Sequence, residues 1–252
     1  MKEITATIIK NEPIAAGVVR LDLETEETVP VRAGQFLNLS TGDGAHLLRR
    51  PVAVCIAEGN LFTVCFQIKG EGTKLIARKK AGETVSVLLP LGNGFPCEGE
   101  ERTVALVGGG VGVFPMIACL RDLKKAGKTV RAYMGYRSAD AVCMEEEFKR
   151  ADFLSIVTDD GSYGKKGNAV EAFLADLKNG RPDVVFACGP IPMLRALKAA
   201  CQREGLTCFV SLEERMGCGI GACLVCVCEK SDGKRARVCK DGPVFNAEDV
   251  AL

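Results

Sequence analysis

The sequence predicts a multidomain fold: an N-terminal antiparallel β-barrel, a central parallel-sheet α/β domain that binds a nucleotide, and a small C-terminal cysteine-rich subdomain. Three observations support this. Short alternating apolar runs separated by turn residues fill the first hundred positions. Buried strand runs then alternate with helical stretches over 102–212. Four cysteines in close spacing follow. We therefore expect domains at 1–99, 100–212 and 213–252.

Composition limits the function classes. The chain has 252 residues and a net charge of +1, so no overall field favours nucleic acid or a membrane surface. It contains no apolar run of 18 residues and no signal-peptide pattern at its start. Of the thirteen cysteines, most of those outside the C-terminal segment lie inside apolar runs, where a free thiol behaves as a small hydrophobe. We expect a cytoplasmic protein in a reducing compartment.

The barrel prediction depends on period-two alternation. The strand candidates are 5–9, 18–23, 35–39, 52–56, 61–67 and 84–89. One helix is predicted over 72–80, with Thr73 as its cap and Gly82 at its end.

Two features of the barrel suggest a ligand. Arg49 and Arg50 precede Pro51 at the start of an apolar strand, and paired arginines either clamp a diphosphate or form a solvated strand end. Residues 70–73 form a glycine-rich turn into a helix, a common anion site. Together they predict a dinucleotide cradle.

In the α/β domain, we predict strands at 103–107, 129–135, 153–158, 184–188 and 207–212, and helices at 114–126, 145–150, 169–178 and 191–204. Ligands of such sheets bind at the carboxyl ends of the strands. The glycines Gly109, Gly110 and Gly112 follow the first of these strands and predict a pyrophosphate site, although a simple packing turn is the alternative.

A second strand-to-helix junction favours the nucleotide interpretation. Cys188, Gly189 and Pro190 follow a later strand, and small residues there leave room for a nicotinamide ring. The loop 158–162 ends another strand and is a candidate for the adenosine ribose, although Asp and Gly clusters are also common in turns.

The cysteine spacing points to iron. Cys218, Cys223, Cys226 and Cys239 follow C-x4-C-x2-C-x12-C, the plant-type arrangement for a 2Fe–2S cluster. Interleaved glycines let the backbone approach the inorganic sulfides. A structural zinc site is the alternative, although zinc sites usually carry two C-x2-C halves. Cys228 lies close by, and the spacing favours Cys226 over it.

In this order, the motifs resemble the ferredoxin-reductase family, and most closely the electron-transfer subunits of class 1B dihydroorotate dehydrogenases. The resemblance covers essentially the whole chain. It is carried by the segments 48–51, 70–75, 90–95, 108–112, 188–190 and 213–223.

The resemblance implies three cofactors and a partner. FAD would lie against the barrel, contacted by Arg50, Pro51, Val52, Ala53, Cys65, Phe66 and Gln67, with its diphosphate at Gly72 and Thr73. The four cysteines would hold the 2Fe–2S cluster, and NAD would bind the α/β domain. The partner would be an FMN-containing subunit that oxidises dihydroorotate in pyrimidine biosynthesis. Electrons would run from FMN through the cluster and FAD to NAD+, in a heterotetramer with two copies of each subunit.

Several departures and alternatives remain. The family usually has Ser at the position of Ala53, and often a basic residue at that of Gln67, so backbone groups or the Gln67 amide would take over those contacts. Residues 136–138 after the second sheet strand could meet the 2′-phosphate of NADP, whereas the resemblance indicates NAD.

Two other functions compete. Similar chains serve ferredoxin:NADP oxidoreductases, sulfide dehydrogenases and soluble hydrogenases, and a zinc-stabilised nucleotide-binding protein is the non-redox alternative. Because hydride and electron transfer are cofactor chemistry, we expect no catalytic side chain.

Overall fold

A computed structural model describes residues 1–252 of the protein. The N-terminal part is a closed six-stranded barrel. Its antiparallel strands follow the order β1-β2-β5-β4-β3-β6 around the barrel. They are β1 (Lys2–Ala15), β2 (Val18–Thr25), β3 (Phe36–Leu39), β4 (Arg50–Glu58), β5 (Leu61–Gln67) and β6 (Thr84–Leu91). Alternate side chains fill its interior, including Ile8, Leu21 and Val64, which are fully buried.

The helix α1 (Glu71–Ala77) lies between β5 and β6, and it corrects one prediction. Thr73 is not its cap, because the N-cap is Gly70 and Thr73 is the third helical residue. The Thr73 hydroxyl instead accepts hydrogen bonds from the backbone N–H groups of Lys69 (3.0 Å) and Gly70 (3.1 Å). The side chain therefore closes the turn from inside the helix.

The second part is a seven-stranded sheet in the order β10-β9-β8-β7-β11-β12-β15. The strands are β7 (Thr103–Gly109), β8 (Thr129–Tyr136), β9 (Phe153–Thr158), β10 (Lys165–Lys166), β11 (Val184–Cys188), β12 (Thr207–Ser211) and β15 (Val244–Asn246). All pairs are parallel except β12 with β15. The barrel and parallel sheet confirm the predicted fold class.

Helices cover both faces of this sheet. They are α2 (Val113–Lys125), α3 (Glu145–Phe148), α4 (Ala169–Asp176) and α5 (Ile191–Glu204). α2 packs between the sheet and β4 of the barrel, in one core with Leu106 and Phe186. α4 and α5 cover the other face, where Ala105 and Val107 are buried. No helix combines the length and the apolar character that crossing a membrane requires.

The cysteine-rich tail packs against both larger parts. It forms a hairpin of β13 (Val227–Glu229) and β14 (Arg235–Arg237) and then adds β15 to the sheet beside β12. Asn93, which follows β6, makes two hydrogen bonds to this tail. The Asn93 backbone N–H donates to the Gly242 carbonyl at 2.7 Å, and the Asn93 side-chain oxygen accepts from the Val244 N–H at 3.1 Å. No pattern in the sequence predicted this antiparallel edge strand.

Candidate cofactor and cluster sites

The first two cysteines of the tail face one another across a tight loop. The Cys218 sulfur accepts backbone N–H groups from Ile220 (3.4 Å), Ala222 (3.3 Å) and Cys223 (3.4 Å). The Cys218 N–H points in turn at the Cys223 sulfur, at 3.3 Å. The turn needs positive φ at Gly219 (+72°) and Gly221 (+85°), which glycine adopts without penalty. The loop thus presents sulfur atoms ringed by N–H donors.

The other two cysteines form a second pair. Cys226 and Cys239 are buried, and the Cys239 N–H donates to the Cys226 sulfur at 3.4 Å. Burial and then the neighbouring Cys226 sulfur raise the pKa of the Cys239 thiol to about 12. A metal must therefore displace this proton, as metals do when they bind thiols.

This arrangement fits a two-iron cluster. The sulfurs stand in two neighbouring pairs, Cys218 with Cys223 and Cys226 with Cys239. A 2Fe–2S cluster has two irons that each take two thiolates, so two pairs match its demand.

Cys228 lies outside these pairs. It belongs to β13, opposite Ala236 of β14, and packs against the apolar core below the sheet. Burial raises the pKa of its thiol. The geometry therefore supports Cys226 as the third ligand.

Arg237 is a residue of this site that the sequence analysis missed. Its guanidinium is held by Asp241 at 2.9 Å and donates to the Gly221 carbonyl of the cysteine loop at 3.3 Å. It thereby braces the loop from the side of the hairpin. No local signal in the sequence marks it, because Gly221 is 16 residues away.

We expect Cys218 to be an early target of iodoacetamide in the iron-free chain. Burial opposes its ionisation, but the N–H groups of Ile220, Cys223 and Ala222 outweigh that effect and lower the pKa to about 6. The thiolate is the nucleophile, so alkylation should rise with pH through a midpoint near 6. Peptide mass spectrometry between pH 5 and 8 measures this. Cys239 should stay unmodified, and a Cys218 midpoint near 8 would contradict the prediction.

The predicted flavin residues lie on the paired strands β4 and β5 and in the first turn of α1. Arg50 begins β4, and its guanidinium lies directly over Gly72 of α1, where a Cβ would overlap it. Pro51 and Ala53 are half-buried on the same strand, whereas Val52 points into the barrel core. The Arg50 guanidinium and the first turn of α1 together form a positively charged cradle suited to a diphosphate.

The β5 residues divide between two environments. Phe66 is buried in the barrel core, so its backbone rather than its ring faces outward. Cys65 is buried between the barrel and the sheet, beside Cys55. Gln67 is exposed at the strand end, with its amide free to meet a ligand. Thr73 follows Gly72 on α1, but its hydroxyl is already hydrogen-bonded to the backbone N–H groups of Lys69 and Gly70.

Arg50→Ala should weaken FAD binding at least about tenfold, since a hydrogen bond from a charged group contributes about 1.5–3 kcal/mol. Flavin absorbance per purified chain, before and after dialysis, measures the loss. Arg49→Ala is the matched control, because Arg49 is occupied by Glu3 and by Ser86, whose hydroxyl it meets at 2.9 Å. Equal flavin loss in both variants would remove Arg50 from the site.

The predicted nucleotide residues meet at the carboxyl edge of the sheet. β7 and β11 are neighbours, with Gly108 opposite Cys188. Gly112, in the 3-10 turn Gly110–Gly112, packs so tightly on the backbone of Cys188 that a Cβ would lie 2.6 Å from the Gly189 nitrogen. The turn also contacts β5. The two glycine junctions thus form one surface beside the flavin strands.

Met193 completes this surface and was missed by the sequence analysis. On α5, three residues after Pro190, its side chain covers Gly109 and Gly189. Burial raises the pKa of Cys188 to about 12, so this thiol is neutral at physiological pH. The site therefore offers neutral, soft contacts to a nicotinamide ring.

The candidate ribose loops are neighbours as well. Residues 136–138 follow β8 and residues 158–162 follow β9. The Ser162 hydroxyl accepts the Ala139 N–H at 2.8 Å, and the Asp159 N–H reaches the Tyr136 carbonyl at 3.0 Å. Arg137 is exposed beside them.

A barrel with an arginine cradle, a parallel sheet with a glycine turn and a tail with two cysteine pairs define a class: reductases of the ferredoxin-reductase type that carry an added iron–sulfur segment. Family models agree along the chain. Residues 106–199 match an oxidoreductase NAD-binding domain, and residues 213–251 match the iron–sulfur cluster binding domain of dihydroorotate dehydrogenase B.

Full-length relatives identify the family. The electron transfer subunit of dihydroorotate dehydrogenase B (NAD(+)) from Geobacillus sp. (strain WCH70) is 40% identical, over 100% of both chains. The subunit of that name from Bacillus velezensis is 42% identical, also over 100% of both. The chain belongs to this family of electron transfer subunits.

One solved structure is similar over nearly the whole fold. It comes from work on flavin-based electron bifurcation by an NADH-dependent reduced ferredoxin–NADP oxidoreductase. That chain is 30% identical, with a TM-score of 0.87 over 98% of this chain and 89% of the other.

Proposed function

We propose that this chain is the electron-transfer subunit of an NAD-linked dihydroorotate dehydrogenase. It would take electrons from the FMN of a catalytic subunit and deliver them through a 2Fe–2S cluster and FAD to NAD+, in pyrimidine biosynthesis. One observation carries the proposal: the loop of the first cysteine pair lies against the barrel strand that adjoins the flavin cradle. The Asn38 amide of β3 is 3.5 Å from the Cys218 carbonyl, and Asn38 pairs with Pro51.

The chain's own residues bind and position the cofactors. When bound, FAD exchanges two electrons with NAD and single electrons with the cluster, which carries one at a time. Arg50 and Gly72 hold the diphosphate of FAD, while Gly109, Gly110 and Gly112, with residues 188–190, hold NAD. The cysteine pairs hold the cluster, and no side chain is assigned a proton-transfer role.

We divide the chain at 99 and 212, as the sequence predicts: a FAD-binding barrel (1–99), an NAD-binding domain (100–212) and a cluster subdomain (213–252). Two observations support separate functions for the first two parts. The barrel closes on itself, and one buried core consists of barrel residues alone, whereas the two cores beside the sheet also include barrel residues such as Phe36 and Phe95. The third part builds its cysteine pairs alone, although β15 borrows an edge of the central sheet.

The cluster loop supports the assignment of a partner. Ile220, Leu224 and Val225 around the cysteines are 41%, 61% and 56% exposed. Exposed apolar side chains beside an electron-transfer centre suit a protein surface that excludes water. We place the FMN subunit there, in a heterotetramer of two copies of each chain. None of the thirteen cysteines forms a disulfide, which supports a location in the reducing cytoplasm.

The test is anaerobic co-expression with an FMN-containing dihydroorotate dehydrogenase subunit, followed by an assay of NAD+ reduction by dihydroorotate. We expect a complex with FMN, FAD and iron that reduces NAD+. A complex containing Cys226→Ser is the matched control and should oxidise dihydroorotate with artificial acceptors only. NAD+ reduction by the FMN subunit without this chain would refute the proposal.

A second candidate is a subunit of a ferredoxin–NADP oxidoreductase, favoured by the likeness to the solved structure of that name. The partner distinguishes the two functions. Affinity purification of the tagged chain from its own organism should recover the FMN subunit if the first proposal holds. Recovery of a larger flavoprotein, with NADPH oxidation coupled to ferredoxin, would establish the second.

A further inference from the structure

Asn38 is a buried polar residue whose environment packing alone does not explain. It lies on β3 and is 1% exposed, yet its side-chain oxygen Oδ1 has no hydrogen-bond partner. Its nitrogen Nδ2 is 3.5 Å from the carbonyl of Cys218, 180 residues further along the chain. A buried acceptor without a donor costs about 1–3 kcal/mol, and such groups call for a reason other than stability.

The facing residue is shaped to receive this amide. Gly219 follows Cys218 and has a φ of +72°, a conformation that favours glycine. A Cβ at Gly219 would also overlap Asn38 Nδ2. The backbone of the cysteine loop therefore rests directly on the Asn38 side chain.

The other side of Asn38 adjoins the flavin cradle. In the pairing of β3 with β4, Asn38 is opposite Pro51, and Leu39 is opposite Arg50. One short side chain thus joins the strand next to the cradle to the backbone of the first cysteine ligand. It lies between the two sites that must exchange electrons.

We propose that Asn38 is a positioning residue that seats the Cys218 loop against the flavin side of the barrel and so sets the cluster-to-flavin contact. The inference rests on the proposed cofactors but needs no particular partner or substrate. Electron transfer between two centres becomes slower as the distance between them grows, so a displaced Cys218 loop would slow this step. The Asn38 amide prevents such a shift.

The test uses the isolated full-length chain with FAD and cluster, mixed with NADH under anaerobic conditions. Stopped-flow absorbance separates flavin reduction from cluster reduction, and freeze-quench EPR counts reduced clusters. In Asn38→Leu, which keeps the shape but removes the amide, we expect full FAD and iron content and an unchanged rate of flavin reduction. Cluster reduction should slow several-fold relative to the wild type.

Asn60→Leu is the matched control. Asn60 also donates its amide to a barrel carbonyl, that of Thr25 at 2.9 Å, in the turn between β4 and β5. It should leave both rates unchanged. Asn38→Ala is a second variant in case leucine does not fit.

The proposal fails under three results. The first is cluster reduction at the wild-type rate in a fully loaded Asn38 variant. The second is an equal slowing of flavin reduction, which would indicate a general defect. The third is loss of cofactors or of folded protein in both Asn38→Leu and Asn38→Ala, which would show that Asn38 serves only the stability of the fold. Because dihydroorotate and the FMN subunit are absent, none of these depends on the proposed partner.

Discussion

Cys226→Ser should abolish the iron–sulfur cluster, whereas Cys228→Ser should leave it intact, although the two cysteines are two residues apart. Cys226 is buried beside Cys239, whose N–H it accepts at 3.4 Å. Cys228 lies two residues further along, on the hairpin strand β13, where it pairs with Ala236. Loss of one of four thiolates removes a ligand from one iron, and cluster sites hold iron through all four.

The measurement is iron and acid-labile sulfide per chain after anaerobic purification, together with the EPR signal of the reduced protein. Wild type and Cys228→Ser should both carry about two irons per chain, the number that one 2Fe–2S centre requires. Cys226→Ser should carry close to none. The reverse pattern would show that the hairpin shifts by two residues to bring Cys228 to the metal. Retention of iron in both variants would remove Cys226 from the ligand set.

Gly112→Ala should weaken NADH binding at least about tenfold, or about 1.4 kcal/mol, and should destabilise the fold. The backbone of Gly112 is right-handed (φ −65°), so alanine meets no conformational penalty there. Its Cβ would instead lie 2.6 Å from the Gly189 nitrogen and closer still to the Cys188 carbonyl. These are backbone atoms, so the two nucleotide-binding junctions must separate, and such overpacking costs about 1–3 kcal/mol.

NADH titration and a thermal melt measure the two effects. A loss of 1 kcal/mol lowers the Tm of a chain of this size by about 2–4 °C. Gly110→Ala is the informative control, because its Cβ would meet nothing within 4 Å and only its φ of +56° opposes alanine. Equal losses of NADH affinity in the two variants would indicate that loop conformation, and not contact with Cys188, governs the site.

Local patterns predicted most of the architecture. β5, β9, β11 and α5 have the bounds that the sequence indicates, because each combines a clear period with a glycine, proline or charged boundary. The cysteine spacing was equally informative, since one short loop supplies three of the four proposed ligands. These features depend on neighbours in sequence.

The features that were missed depend on distant contacts. β15 has only three residues, and its partner strand β12 lies on the other side of the cluster segment in the sequence. Asn38 meets Cys218 across 180 residues, and Asn93 clasps Gly242 across a similar distance. Thr73 was assigned to the wrong helical position because Gly70, without a side chain, serves as the N-cap. No period or spacing in a single sequence encodes such pairings.

The short strand β15 also protects the edge of the sheet from pairing with other molecules of the protein. It covers the outer edge of β12, whose N–H and C=O groups would otherwise be open to a strand from another molecule. The segment that covers this edge is continuous with the one that carries the cysteines. Oxidative damage that frees the tail would therefore uncover a template for aggregation, which links the metal content of the chain to its solubility.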